Sequence, residues 1–252
     1  MTMGCVVNTS FEDTQFRCAR TGECPAPLEC DGEFCRLPSE DAGPTSDASN
    51  VSCPGPDADG DITALRADMP PTIDGTLEAA WSRARFVEFA NPMQSDNSVR
   101  VRILWDEANL YFAYEVTDAQ LEAVSEPNQI FRDDGSEIYL DMAHDETPSI
   151  NGDDVHFIMN IDGVVQSGTI DVAVLTTAGG YVIEHALSWS EAGAQPVAGD
   201  TVGLLLGNND RDSDTSTQFD WRGLINSGLY TRPNLWGDLH VSGQPASLCP
   251  ND

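Results

Sequence analysis

Carboxylates are the residues of this chain best suited to chemistry. Asp210, Asp212 and Asp214, in the run Asn208-Asn-Asp-Arg-Asp-Ser-Asp214, have the one-three-five spacing that offers hard oxygen ligands to calcium. Thr215 stands where an EF-hand loop needs glycine, and Trp221 stands where it needs the bidentate acid. The expectation is therefore a structural calcium held by these aspartates with help from elsewhere in the fold. Asp57, Asp59 and Asp61 also alternate, but their glycine is at the fourth position and the stretch reads as solvated linker. Paired carboxylates for glycoside cleavage are defined by a separation in space that sequence does not give. His144, His156, His185 and His240 share no spacing, and neither a G-x-S-x-G elbow nor an H-E-x-x-H helix occurs, so a nucleophilic or zinc hydrolase is not predicted. Tyr230 lies in a loop among Asn226, Ser227, Gly228, Thr231 and Pro233, a setting that suits a sugar ring, whose C–H groups stack on a π face. Trp236 opens a strand and is read as core.

Cysteine use points to an oxidising compartment. Cys18, Cys24, Cys30 and Cys35 are closely spaced among Gly, Pro, Glu and Asp with few aliphatic residues, which predicts a small loop-rich unit with two disulfides among them. Paired C-x-x-C knuckles for zinc are absent. Cys53 and Cys249 bracket a cysteine-free stretch, and a clasp between them would contribute about 5 kcal/mol in the chain-entropy view. Thr2-Met3-Gly4-Cys5 resembles the end of a bacterial lipobox, making Cys5 a candidate lipidation site. Four residues cannot hold a signal peptide, so that reading requires a start further upstream, and the alternative is a free thiol.

With 42 acidic and 12 basic residues the formal charge is −30, which excludes nucleic acid and anionic membrane surfaces as partners and leaves neutral, cationic or metal ligands. Every basic residue is arginine; without lysine there is no Schiff-base or P-loop chemistry. No apolar run approaches the ~20 residues of a membrane span, so any membrane attachment would be through a lipid anchor, and a monomer is expected.

These residues must be positioned by strands. Residues 1–36 form the predicted cysteine-rich segment, 37–61 an acidic Pro/Ser/Asp linker, 62–243 the main domain and 244–252 a tail. The main domain shows short alternating runs between turn formers, in roughly eight to ten strands with one polar face each, which predicts an all-β, antiparallel sandwich. Only Leu77 to Arg85 reads as helical, with Trp81 plugging the edge of the core. Strand parity puts Val99, Val101, Ile103 and Trp105 on one face and Leu110, Phe112, Tyr114 and Val116 on another inner face. If Glu137–Met142 and Val155–Asp162 are neighbours, Glu137, Tyr139, His156 and Asn160 share one outer face, a possible binding platform.

Several ordered motifs carry a resemblance. Ile73-Asp-Gly-Thr-Leu-Glu-Ala-Ala-Trp81, Leu104-Trp-Asp106 with Asn109-Leu-Tyr111 and Glu115-Val-Thr-Asp118, Asp133-Asp-Gly-Ser-Glu-Ile-Tyr-Leu-Asp141, Gly180-Tyr-Val-Ile-Glu184 and Trp236-Gly-Asp-Leu239 occur in the order found in family 9 carbohydrate-binding modules, which the chain resembles from Pro71 to Val241. The resemblance implies a non-catalytic β-sandwich, often carrying structural calcium, that clamps the end of a glucan or xylan chain between two aromatics. The clamp positions fall on Phe131, where the pattern prefers tryptophan, and on Tyr230. The polar contacts fall on Glu137, Asn160 and Asn226, and Ile158 stands where the pattern has arginine. The implied protein is an extracellular or cell-surface polysaccharide binder. One alternative is a haem-binding sandwich of the same superfamily using Met142, Met159 or His156. Another is a surface module whose sugar site is lost.

Overall fold

The computed structural model describes residues 29–30, 35–36, 57, 60–213, 215–223 and 228–249. The chain divides into two compact units, residues 1–50 and 51–252. In the first, β1 (Glu29–Cys30) and β2 (Cys35–Arg36) pair antiparallel, with Cys30 opposite Cys35. Cys5, Cys18, Cys24 and Cys53 lie outside the described residues. Cys249 is buried and disulfide-bonded.

The second unit carries β3 (Asp61–Arg66), β4 (Arg85–Ala90), β5 (Ser98–Trp105), β6 (Asn109–Thr117), β7 (Gly135–Asp141), β8 (Asp154–Asn160), β9 (Val165–Gln166), β10 (Asp171–Thr177), β11 (Gly180–Ser188), β12 (Thr201–Asp212), β13 (Thr215–Asp220) and β14 (Gly237–Pro245). One layer runs β10-β11-β6-β5 with β4 on the edge of β5; the other runs β14-β12-β7-β8-β9 with β13 beside β14 on β12. The strand β3 joins the layers, pairing β14 and, through Leu65 and Arg66, the end of β5.

Both of those pairings are parallel, so the sheet is mixed and not antiparallel throughout. The reason is topological. A strand entering from the N-terminal side at the seam runs alongside β14 and β5 with no hairpin to reverse it. The Asp-rich DADGD run hides this strand, whose apolar part, Ile62 to Leu65, is only four residues long.

The inner faces follow the alternation. Val99, Val101, Ile103 and Trp105 of β5 and Leu110, Phe112, Tyr114 and Val116 of β6 pack with Ile138, Leu140, Phe157, Met159, Leu204 and Leu206 in one core. The outer faces are less open than alternation suggests, because β7 is buried along its whole length and β6 from Leu110 to Tyr114. On β6 the cover is a second cluster. Trp81, from the 3-10 turn Ala79–Arg83, packs with Leu65, Leu104, Tyr111, Ala246 and Cys249. A short helix, α1 (Trp189–Ala192), also forms where the alternation predicts only the end of a strand. Ser188 caps it by accepting from the Glu191 N–H, and Gly193, at φ 87°, ends it in the left-handed conformation that glycine tolerates.

Trp81 donates its indole N–H to Glu184 Oε1 at 2.7 Å, while Glu184 Oε2 accepts from the backbone of Asp74 and Gly75. Trp81→Phe leaves that buried oxygen unpaired and opens a cavity where the indole's second ring was. The expected loss is about 1–3 kcal/mol, read as a lower urea midpoint at unchanged m-value.

Candidate functional site

The pairing register decides which side chains share the outer face of the second layer. Glu137 lies opposite Gly207 on β12 and Ile158 on β8; Tyr139 lies opposite Leu205 and His156; Asn209 lies opposite Gly135 and Gln218 of β13. Neighbours in register point the same way, so Glu137, Tyr139, His156, Asn209 and Gln218 converge on one face. Gly207 keeps the middle of it open, since a β-carbon there would lie 3.3 Å from that of Glu137. Residues 228–236 lie over this face and build a wall. Tyr139, Leu205, Leu229 and Trp236 form an apolar cluster outside the sheet, and the Trp236 indole N–H is fixed on the Leu229 carbonyl at 2.7 Å. Tyr230, 47% exposed, stands at the rim of the resulting shallow depression of about 30 Å³, whose lining includes Glu137, Asn209, Gln218 and Asp220.

Glu137 organises the face. It is 4% exposed, and its carboxylate accepts from four side chains. Oε1 accepts from Asn209 Nδ2 at 2.8 Å and Gln218 Nε2 at 2.9 Å. Oε2 accepts from the Tyr139 hydroxyl and from His156 Nε2 at 3.2 Å. The His156 ring stacks on that of Tyr139, centroids 3.7 Å apart and 12° from parallel. Burial pushes the Glu137 carboxyl up, but the hydrogen bond and charge of His156 and the bonds from Tyr139 and Asn209 outweigh it, so its pKa lies below the ordinary glutamate value. Asn209 Oδ1, buried on the same floor, has no hydrogen-bond partner.

The structure brings Glu137 and Tyr230 to the same depression. Phe131 is half-buried in the 3-10 turn Ile130–Arg132, which packs against β8, β12 and β13. Asn160, 3% exposed, donates to Asp133 Oδ2 at 3.0 Å and accepts from the backbone of Asp162 and Val164, holding the turn after β8. Asn226 and Asp214 lie outside the described residues. Met159 is in the core, on the opposite face of β8 from His156. Asn209 and Gln218 escape a reading that ends the strand at Asn208 and finds none at residues 215–220. Continuing the alternation of Val202, Leu204 and Leu206 past Asn208 would have turned Asn209 outward.

A second polar cluster lies inward from the same strand. Asp210 and Asp212 belong to β12, not to a ligand loop. Asp118, Asp134 and Asp210, all buried, form one triad of mutually close carboxylate oxygens, and Asp96, Asp118 and Asp212 form another; within each the oxygens lie within 4.8 Å of one another. Burial, followed by the charge of Asp210 and other aspartates, pushes Asp118 up to about 6. Burial and the charges of Asp118 and Asp210 push Asp134 up to about 8. Asp210 Oδ1, Asp212 Oδ1 and Asn97 Oδ1 are buried without partners. An all-oxygen donor set with orphaned acceptors and mutually repelling carboxylates fits a hard cation such as calcium.

Residues 73–244 match the family model for "Carbohydrate family 9 binding domain-like", and the chain belongs to that family. It is 26% identical over 186 residues to endo-1,4-beta-xylanase A of Thermotoga neapolitana, an alignment covering 68% of this chain and 17% of that protein. It is 26% identical over 196 residues to exoglucanase XynX of Acetivibrio thermocellus, covering 71% and 17%. The chain thus spans less than a fifth of the length of these curated relatives. Its fold matches a family 9 carbohydrate binding module from Caldicellulosiruptor kristjanssonii solved with glucose, at TM-score 0.60 and 21% identity over 73% of this chain and 96% of that one. The cellotriose complex of a family 9 module from the same organism gives TM-score 0.60 and 22% identity, with 73% and 94% coverage.

The Glu137 network yields a stability prediction with a definite pH sign. Glu137→Gln faces two amide donors with an amide of its own and is expected to cost about 2 kcal/mol at neutral pH in urea melts. Because the folded pKa lies below the ordinary value of 4.5, the carboxylate's contribution is complete above that value. It is lost as pH falls through the folded pKa, so the melts of parent and variant converge in acid.

Proposed function

We propose that the sandwich is a non-catalytic carbohydrate-binding module for glucan- or xylan-type chains, acting outside the cell or at its surface. The observation that carries this reading is an aromatic ring, Tyr230, left 47% exposed at the rim of a depression floored by polar side chains. A sugar ring stacks on Tyr230, with Phe131 as the second aromatic, while hydroxyls bond to the polar floor that Glu137 orients. Asn160 supports the turn after β8, and Asn226 is the further polar contact that the family resemblance implies. The relatives support the reading through what they carry and what they were solved with. They are xylanases and an exoglucanase, and modules in complex with glucose and cellotriose. A surface location follows from the same class of protein, with disulfides in the N-terminal unit and lipid on Cys5 as its further elements.

Calcium belongs to the proposal, held by Asp118, Asp134 and Asp210 with Asp96 and Asp212. When bound it supplies charge neutralisation at the seam between the layers and no chemistry on the sugar.

Two measurements follow. Calorimetry with cellooligosaccharides and xylooligosaccharides is expected to give binding that weakens at least about tenfold in Tyr230→Ala and further in Phe131→Ala/Tyr230→Ala. Unchanged affinity in the double variant would remove the site. For the metal, calcium at roughly a hundredfold over its Kd is expected to raise the unfolding free energy by about 2.7 kcal/mol relative to chelated protein, and Asp118→Asn to abolish most of that gain.

A further inference from the structure

Outside the lining of the depression, the outer face of the same layer carries a second polar group, and this one mixes imidazoles with carboxylates. The pairing register builds it. Asp238 of β14 stands opposite Asp61 of β3 and opposite Gly203 of β12, and His240, two residues on, shares its face, turned away from the core that takes Leu239 and Val241. Gly203 is also the residue opposite Asp141 at the end of β7, so at this register β12 has no side chain between the turn after β7 and Asp238. His144, in that turn, reaches across β12 and sets its Nε2 3.1 Å from Asp238 Oδ1 and 3.6 Å from Glu146 Oε1. On the other side of Asp238, His240 Nε2 lies 3.9 Å from Asp61 Oδ2, too far for a hydrogen bond, while its Nδ1 meets the Thr201 hydroxyl at 3.1 Å.

Two triads result, His144–Glu146–Asp238 and Asp61–Asp238–His240, and within each the nitrogen and the two carboxylate oxygens lie within 4.8 Å of one another. Asp238 belongs to both. Its placement directly opposite Asp61 in paired strands sets two like charges side by side, which destabilises the pair unless a cation neutralises them. We infer that Asp238 is the shared ligand of a surface site for a transition cation of the zinc class, with one imidazole from each side, His144 and His240, and with Glu146 and Asp61 adding carboxylates. Imidazole nitrogen selects such ions over calcium and magnesium, which take oxygen. Zinc bonds of about 2.0–2.2 Å in a tetrahedron place neighbouring ligand atoms roughly 3.3–3.6 Å apart. The separations of 3.1, 3.6 and 3.9 Å lie close to that spacing. Thr201 orients the His240 ring so that Nε2 faces the carboxylates. The five side chains are 28–61% exposed, so an ion reaches them directly from water. Once bound it ties β14 to the seam strand β3 and to the turn after β7.

The test is zinc calorimetry on the intact chain in excess calcium, which competes for the all-oxygen aspartate cluster and not for imidazoles. One zinc per chain is expected at this site, with a raised thermal midpoint. His144→Ala, His240→Ala and Asp238→Asn are each expected to weaken binding at least about tenfold, since even partners outside the ligand set are worth that much. Because these side chains are at the surface, the variants are expected to fold as the parent does in chelator, judged by circular dichroism. Absence of zinc binding in excess calcium would overturn the inference. Binding that survives all three substitutions would belong to cysteine sulfur or to the chain's general negative charge and would overturn it too. A loss confined to one of the two histidine variants would equally remove the shared site.

Discussion

A carboxylate taken out of water must be given donors, a cation or a proton, and this acidic chain buries several. Glu184 receives Trp81 and two backbone N–H groups, which ties the segment before β4 to the back of β11. Asp141 accepts from the backbone of Asp145 and Glu146 and so closes the turn after β7. Glu137 receives four side chains, one from its own strand and three from β8, β12 and β13, and that one anion fixes the orientation of all four. Asp118, Asp134 and Asp210 are buried against one another, and burial, with the charge of neighbouring aspartates, pushes their carboxyls up. The same constraint thus produces a hydrogen-bonded platform in one place and a cation-shaped cluster in another.

The two clusters differ in how far sequence could disclose them. Glu137, Tyr139 and His156 fall together from the two-residue period alone, because each lies in a strand with a clean apolar alternation on its other side. The inward set is drawn from four separate stretches, around Asp96, Asp118, Asp134 and Asp210. Spacing along the chain brings only Asp210 and Asp212 to notice. A one-three-five pattern is also what every second residue of a strand gives, and here the strand is what the residues form. The sandwich itself was legible for a similar reason: β5 and β6 put every expected apolar side chain into the core. What alternation could not supply was the covering of the outer faces. The burial of β6 on both sides depends on Trp81 and Ala246, which are far from it in sequence and meet it only through tertiary packing.

The wall of the depression shows how loops and strands divide the work. The strands supply an even, rigid floor in which Gly207 leaves room beside Glu137. The concavity comes from residues 228–236 before β14, held down by Trp236 against Tyr139 and by the indole bond to Leu229. Because Leu229 is buried in that packing, its neighbour Tyr230 is held outward with its ring exposed. An aromatic presented this way loses little conformational freedom on meeting a ligand, which is the condition for a stacking contact to contribute net affinity.

The platform and the acid cluster are not independent, because β12 serves both. Along that strand Gly207 and Asn209 face the depression, while Asn208, Asp210 and Asp212 face inward. Asn209 and Asp210 are consecutive, so the backbone that sets the reach of Asn209 toward Glu137 also sets the reach of Asp210 toward Asp118 and Asp134. Repulsion among the aspartates acts to push this stretch away from β7, whose Asp134 lies just before the paired residues Gly135 and Glu137. A cation at the cluster, as proposed above, would remove that repulsion and draw β12, β7 and the end of β6 together. With a cation bound there, the strand beneath Asn209 would be held from behind, and the distances from Glu137 to Asn209 and Gln218 would be set in part by electrostatics on the far side of β12.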